Sequence, residues 1–293
     1  MAASAAGSIR LFAYRGIDVY LHWSWAVVGL FEIQWRSDEY SSLIWNITEY
    51  IALFALVLLH EFGHALACRS VGGDAKRIML WPLGGVAYVR PPPRPGAHLW
   101  SIAAGPLVNL ALVPLILGAW FLLRGQLGAD METMLLTLSV INIGLFVFNI
   151  LPIYPLDGGQ IVRALLWYFV GQERSLTIAA SLGLAASVIG GICAVLFLNS
   201  FWLGIIAAYA AWRSYVGLRI ARMRSDLLSG PRQPIARCPS CAQAPPRGAL
   251  WRCGNNHPFD VYASDGVCPT CGWDTTDIAC VFCGETSAIA DYS

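Results

Sequence analysis

Charge is scarce in this sequence. Only 13% of its 293 residues are Asp, Glu, Lys or Arg, while 57% are hydrophobic; a soluble domain carries about a quarter charged residues. That shortage argues against an ordinary water-soluble enzyme and makes a lipid bilayer the first solvent to consider. Three stretches hold no charged residue at all: Leu99 to Leu123, Thr133 to Leu156 and Ser175 to Trp212. The first two each suffice for one helix across a hydrocarbon core of ~30 Å, and the third for two helices joined at Asn199-Ser200. Also missing are an internal repeat and a low-complexity tract beyond Pro91-Pro92-Pro93. Met1 to Gly16 lacks the apolar core and small-residue cleavage site of a signal peptide, so none is expected to be removed.

Two further spans precede these, a Trp-rich one from about Val19 to Trp35 and one from about Ile47 to Cys68. The expected fold is an all-α multi-pass membrane protein with six transmembrane helices. Basic residues are retained on the cytoplasmic side of membrane proteins. With both termini cytoplasmic, the basic residues of the membrane part face the cytoplasm except Arg36 and Arg124, and one helix more or fewer would scatter them. Between the second and third spans, Gly72-Gly73, Gly84-Gly85 and the proline run punctuate two short apolar runs. Residues Ile78 to Val89 therefore read as a β-hairpin near the membrane surface. The predicted organisation is a membrane domain over residues 1–228, a linker over 229–236 and a small cysteine-rich cytoplasmic domain over 237–285.

His60-Glu61-Phe62-Gly63-His64 matches H-E-x-x-H. Helical geometry puts residues four apart on one face, so both imidazoles aim at one ion and the glutamate reaches a water that the ion holds. The motif ends the apolar run Leu53 to Leu59. Ionisable groups at that depth are costly and mark function by default; satisfaction of the histidines by backbone carbonyls is the bland alternative. Catalytic zinc has three protein ligands and an open position, so a third ligand must come from elsewhere. Asp157 closes the uncharged Thr133 to Leu156 span at the depth of the histidines, whereas most other aspartates of the membrane part sit in loops or at chain ends. Pro152 and Pro155 break the helix before it, and Gly158-Gly159 allow a tight turn after it. Alone, Asp157 would read as the N-cap of a helix starting near Gln160; opposite the histidine pair it reads as a ligand.

Four ordered motifs carry a resemblance. HEFGH, Gly84-Gly85 in WPLGGVA, Gly105-Pro106-Leu107-Val108-Asn109, and the run from Asn149 to Gly159 (NILPIYPLDGG) resemble the signature set of the site-2 protease family of intramembrane metalloproteases, over most of residues 16 to 225. The resemblance implies a three-helix catalytic core with one zinc on His60, His64 and Asp157, Glu61 as general base, and proteolysis within the transmembrane segments of membrane protein substrates. It also implies that Asn149 holds the substrate backbone or the developing oxyanion. Helix-to-helix hydrogen bonding is the bland reading for Asn149, and more so for Asn109 and Asn142. The hairpin with Gly84 and Gly85 is expected to bind substrate as an added strand. No inserted PDZ-like domain is seen, and there is no room for paired CBS modules.

His22 and His98 sit beside tryptophans and read as interfacial anchors. Cys68 and Cys193 read as small hydrophobes, and Gly183, Gly190 and Gly191 as close-packing positions without catalytic implication.

In the tail, Cys238/Cys241, Cys268/Cys271 and Cys280/Cys283 form three C-x-x-C pairs, joined by Cys253 and His257. Eight ligands make two closed structural zinc sites. Asn256 stands where many ribbons have a second cysteine, leaving His257 as the substitute. The tail resembles a double zinc ribbon. A nested pairing is favoured, Cys238, Cys241, Cys280 and Cys283 at one site and Cys253, His257, Cys268 and Cys271 at the other, with sequential pairing and disulfides as alternatives. From Arg237 to Glu285 three basic residues face five acidic ones, a poor match for nucleic acid; a protein partner is expected. The rival to an enzyme is an inactive zinc-binding scaffold or regulator acting through the ribbon.

Overall fold

A computed structural model of the chain describes residues 7–36, 38–81 and 84–292, without the side chains of residues 224 and 228. The first six residues of the stretch read for a signal peptide, the tip of the expected hairpin at Pro82-Leu83 and the Arg224 side chain lie outside them. The chain starts with two strands, β1 (Ser8–Tyr14) and β2 (Ile17–His22), followed by the helices α1 (Ser24–Trp35) and α2 (Leu43–Ser70). Strands β3 (Asp74–Trp81) and β4 (Gly84–Arg90) precede α3 (Pro95–Leu123), α4 (Ala129–Ile150), α5 (Asp157–Leu196) and α6 (Phe201–Ser229). Four very short strands end the fold: β5 (Trp251–Arg252), β6 (Pro258–Phe259), β7 (Asp277–Ala279) and β8 (Thr286–Ala288). The chain divides into two compact units after Leu218.

Among the described residues, four helices, α2, α3, α4 and α5, are long and apolar enough to cross a membrane. Six spans are predicted by the sequence, and the two differences have local causes. In the expected first span, Val19 to Trp35, residues 19–22 belong to β2, which leaves α1 with 12 residues. At 1.5 Å per residue that is about 18 Å of helix, short of the ~30 Å hydrocarbon core. α6 is 29 residues long, but Arg213, Arg219 and Arg222 interrupt it and its uncharged part ends at Trp212. α5 is two helices in succession: Gly171, with φ 80° and ψ 170°, breaks the helical path. Only glycine takes that backbone without strain. Residues 157–170, which include Arg163, are thereby separated from the apolar stretch 172–196.

An all-α membrane part with a single hairpin is an expectation that the structure corrects. β3 and β4 do pair as an antiparallel hairpin, from Asp74 opposite Arg90 to Trp81 opposite Gly84, yet they are half of a four-stranded sheet of order β1-β2-β3-β4. β2 runs parallel to β3, with Val19 opposite Ile78 and Leu21 opposite Leu80. Successive strand residues point to opposite faces, and one face gathers Ile17, Val19, Ala75, Ile78 and Leu80 against Ala65 and Cys68 of α2, all fully or almost fully buried. The sheet therefore sits on the end of α2 that carries the histidines. β1 and β4 are its two edges, and β4 lies against α2.

The opposite end of α2 is tied down by charge. Glu49, buried, pairs with the Arg36 guanidinium, whose Nε stands 3.1 Å from its Oε1; it accepts from Arg36 Nη2 at 3.4 Å and from the Tyr40 hydroxyl, and Arg36 also donates to Thr137 Oγ1 of α4 at 3.2 Å. Asn46 Nδ2 donates to Arg36 O at 2.6 Å. A buried carboxylate is tolerable only with such partners; here they join the segment after α1 to α2 and α4.

Candidate metal centres

α2 carries His60 and His64 one turn apart, with ring centroids 4.7 Å apart and ring planes at 85°. Their Nε2 atoms stand 3.1 Å from each other. Asp157, the first residue of α5, completes the triangle: its Oδ2 lies 3.1 Å from His60 Nε2 and 3.3 Å from His64 Nε2. Both histidines and Glu61 are buried.

Hydrogen bonding on the far side of each ring fixes what these nitrogens are. His64 Nδ1 donates to the Ser101 carbonyl at 2.9 Å, and His60 Nδ1 donates to Asn109 Oδ1 at 2.8 Å. A carbonyl oxygen only accepts, so both Nδ1 atoms carry the proton, and in the neutral imidazole, the form that ligates a metal, both Nε2 atoms present lone pairs. Two lone pairs and a carboxylate therefore converge within 3.3 Å, an arrangement that repels itself unless a cation lies between. Asp157 Oδ2 is buried and has no hydrogen-bond donor. An ion with tetrahedral bonds of about 2.0–2.1 Å sets its ligands about 3.3 Å apart, close to the three distances observed. The donor set of two imidazoles and one carboxylate fits zinc, with one position left for water or substrate.

α3 is shaped around this cluster. A Cβ on Gly105 would run into the His64 ring and come to 2.8 Å from His60 Nε2, so only glycine lets α3 come this close to the two ligand nitrogens. Asn109, one turn on, supports His60, and its own carbonyl accepts from Asn142 Nδ2 of α4 at 2.9 Å. The helix-to-helix reading fits Asn142, whereas for Asn109 it leaves out the bond to His60. Sequence reasoning missed Asn109, Gly105 and the Ser101 carbonyl as supports; a buried amide inside an uncharged run was the available signal.

Glu61 points toward β4, where a Cβ on Gly85 would collide with its carboxyl group. Gly84 has φ +134°, a backbone that side chains rarely adopt. The two glycines are thus required for different reasons, Gly84 by conformation and Gly85 by space. Together they bring the edge strand against the glutamate. Asn149 is half-buried in the last turn of α4. His22 stacks on Trp81 with centroids 4.1 Å apart, and His98 meets Trp167 edge-on.

The second unit gathers eight ligand residues into two groups, Cys238, Cys241, Cys280 and Cys283, and Cys253, His257, Cys268 and Cys271. This is the nested grouping. Cys238 and Cys283 Sγ are 3.8 Å apart, as are Cys241 and Cys280, and Cys253 Sγ is 3.6 Å from Cys271 Sγ and 3.5 Å from His257 Nδ1. Sulfurs about 2.3 Å from a tetrahedral zinc stand about 3.8 Å apart. Asn256 has φ 65° and donates its N–H to Cys253 O at 2.8 Å, so it fills the left-handed position of a tight turn, which asparagine tolerates. That turn carries His257 to the site. Burial pushes Cys283 up, with Cys280, Cys238 and Cys241 adding to it, to about 12. Burial also opposes ionisation of Cys238, but the backbone N–H groups of Cys241 and Ser240 outweigh it and bring that thiol down to about 6. One thiol ionises readily and another is held back, as expected where four crowded sulfurs can all ionise only around a cation.

Residues 48–130 and 125–190 match peptidase family M50. A zinc metalloprotease of Methanocaldococcus jannaschii is 36% identical over 194 residues, covering 66% of this chain and 55% of that protein. The protein Rip3 of Mycobacterium tuberculosis is 31% identical over 224 residues, covering 68% and 56% respectively. The chain thus spans a little over half the length of these curated relatives. Among solved structures, the site-2 protease from Methanocaldococcus jannaschii aligns with a TM-score of 0.54 and 31% identity, over 72% of this chain and 95% of that one. With its HEFGH helix, its Asp157 loop and a solved relative matched over nearly its whole length, the chain belongs to the site-2 protease family, peptidase family M50.

Proposed function

We propose that this protein is an intramembrane zinc metalloprotease that hydrolyses a peptide bond within the transmembrane segment of membrane protein substrates. The observation that carries this reading is the convergence of two imidazole lone pairs and an orphaned carboxylate beside Glu61. His60, His64 and Asp157 hold one zinc, which when bound supplies the Lewis acidity that acidifies a water and polarises a carbonyl. Glu61 takes the proton of the attacking water and hands it to the leaving amine. Asn109 and the Ser101 carbonyl keep both rings in the tautomer that leaves Nε2 free. Asn149 holds the substrate backbone or the developing oxyanion.

A peptide bond inside a membrane helix is hydrogen-bonded to its own chain, so part of the substrate helix must unwind and find new partners. β4 offers them along its free edge, with Gly84 and Gly85 next to Glu61, and the substrate adds there as a further strand. Proline substitutions along that edge that left cleavage intact would remove this part of the reading.

The arrangement is six crossings with both termini cytoplasmic, in which the short α1 crosses where its flanking residues snorkel and the bilayer thins, and α6 crosses by its uncharged part. The protease part is residues 1–228, followed by a linker over 229–236 and a ribbon domain over 237–285 with two structural zincs and a protein partner. The test of the activity is cleavage of candidate single-span membrane proteins by purified wild type, Glu61→Gln and Asp157→Ala. Product from wild type alone is expected; equal product from all three would refute the mechanism.

A further inference from the structure

Asp157 is presented from an irregular stretch, residues 151–156, between α4 and α5. The near side of this stretch is held by its own chain. Gln160 Nε2 donates to Pro155 O at 3.0 Å, and Gly158 and Gly159 press so closely on the backbone of Ile150 and Tyr154 that no Cβ would fit. The far side is held by two helices that contribute no ligand. A Cβ on Gly183, in the part of α5 beyond Gly171, would come to 2.6 Å from Tyr154 N. A Cβ on Gly217 of α6 would come to 2.5 Å from Tyr154 Cε1. Ser214 of α6 is fully buried and donates its hydroxyl to the Tyr154 carbonyl.

The backbone of Tyr154 therefore lies against Gly183, its ring across Gly217 and its carbonyl on Ser214. Small residues in membrane helices ordinarily admit a neighbouring helix; here they admit a loop, three residues before Asp157. Productive ligation needs placement within about 0.5 Å, set by the shell that supports the ligand. An irregular segment that holds two prolines has no regular hydrogen bonding to supply that precision.

We propose that Gly183, Ser214 and Gly217 are positioning residues for Asp157, gripping Tyr154 so that metal affinity at the His60–His64–Asp157 centre depends on α6. The inference rests on the reading of Asp157 as a zinc ligand.

The test uses the full-length protein loaded with zinc and titrated with a chelator, counting zinc per chain. The release step missing from Asp157→Ala is that of the membrane centre, and the ribbon steps serve as an internal reference. Ser214→Ala and Gly217→Val are expected to bind zinc at the membrane centre about 10–100-fold more weakly, the usual effect of losing support for a ligand, with the ribbon steps unmoved. Gly190→Val, where a Cβ meets nothing within 4 Å, should match wild type. In a Tyr154→Ala background, Gly217→Val should add no further loss, because the ring it would strike is gone. A wild-type step in Ser214→Ala, or full additivity of Gly217→Val with Tyr154→Ala, would overturn the proposal. Should Gly217→Val not fold, Ser214→Ala decides, since it removes one hydroxyl and adds no volume. Retention of the step in Asp157→Ala is a different failure: it refutes the ligand reading, and the clamp falls with it.

Discussion

The two kinds of candidate metal centre in this chain are built on opposite plans. The membrane centre draws its three candidate ligands from α2 and the start of α5, elements far apart in sequence that are brought together by packing on α3. Each ribbon centre draws four ligands from tight turns, and the strands between them are two or three residues long. Its core consists of the ligand cysteines themselves with Phe259, Val261, Ile278 and Tyr292. A domain with so little apolar volume depends on its metals for folding. The contrast is between a scaffold that positions a reactive ion and ions that create a scaffold.

The comparison breaks most directly on chelation. Stripping zinc with a strong chelator should unfold the ribbon, forfeiting about 10–16 kcal/mol of metal binding per site, while the helices of the membrane unit stay folded. Limited proteolysis would read this as new cleavages confined to residues beyond 230; a membrane unit that became equally sensitive would erase the distinction. Gly85→Val comes next. It drives a side chain into the Glu61 carboxyl group and should lower kcat by about 10²-fold or more, the range for a displaced general base, with zinc content unchanged. A parallel loss of zinc would place Gly85 in the metal site instead.

Asn109→Leu should weaken zinc at the membrane centre by about 10–100-fold, as expected when a ligand histidine loses its orienting partner, and leave the ribbon zincs alone. Chelator titration would detect it. The smallest effect belongs to Asn142→Ala. It removes one interhelical bond to the Asn109 carbonyl, worth about 0.6 kcal/mol in a membrane protein, and should lower the melting temperature slightly with activity retained. Loss of activity on the scale of Gly85→Val would show that Asn142 does more than join α3 to α4.

The membrane centre was legible in sequence because it violates its surroundings. His60, Glu61, His64 and Asp157 are ionisable residues at the ends of apolar runs, and such residues stand out in lipid. The ribbon ligands were legible for a different reason: C-x-x-C spacing is local, and the turn that brings the two sulfurs together lies within it. What stayed hidden depends on distant partners. Val19 to His22 continues into a tryptophan-rich run, and a short apolar segment reads equally as strand or helix until its partner is known. That partner is β3, reached only after α2. Asn109 and Asn142 look alike in sequence, both amides in uncharged spans, and only packing assigns one to His60 and the other to a backbone carbonyl. Glu49 escaped notice too, because the Arg36 and Tyr40 that make its burial tolerable precede α2 on a segment with no regular structure.

His60 and His64 are translated well before Asp157, with α3 and α4 in between. At about 5–20 residues per second the ribosome takes on the order of 5–20 s to cover that distance. During that interval the nascent protein owns two ring nitrogens and no third ligand, a weak and reversible perch for any passing divalent cation. Commitment to one metal arrives only when the later aspartate is threaded into place, so the choice of ion waits until α4 is complete and is not made when the histidine pair first appears.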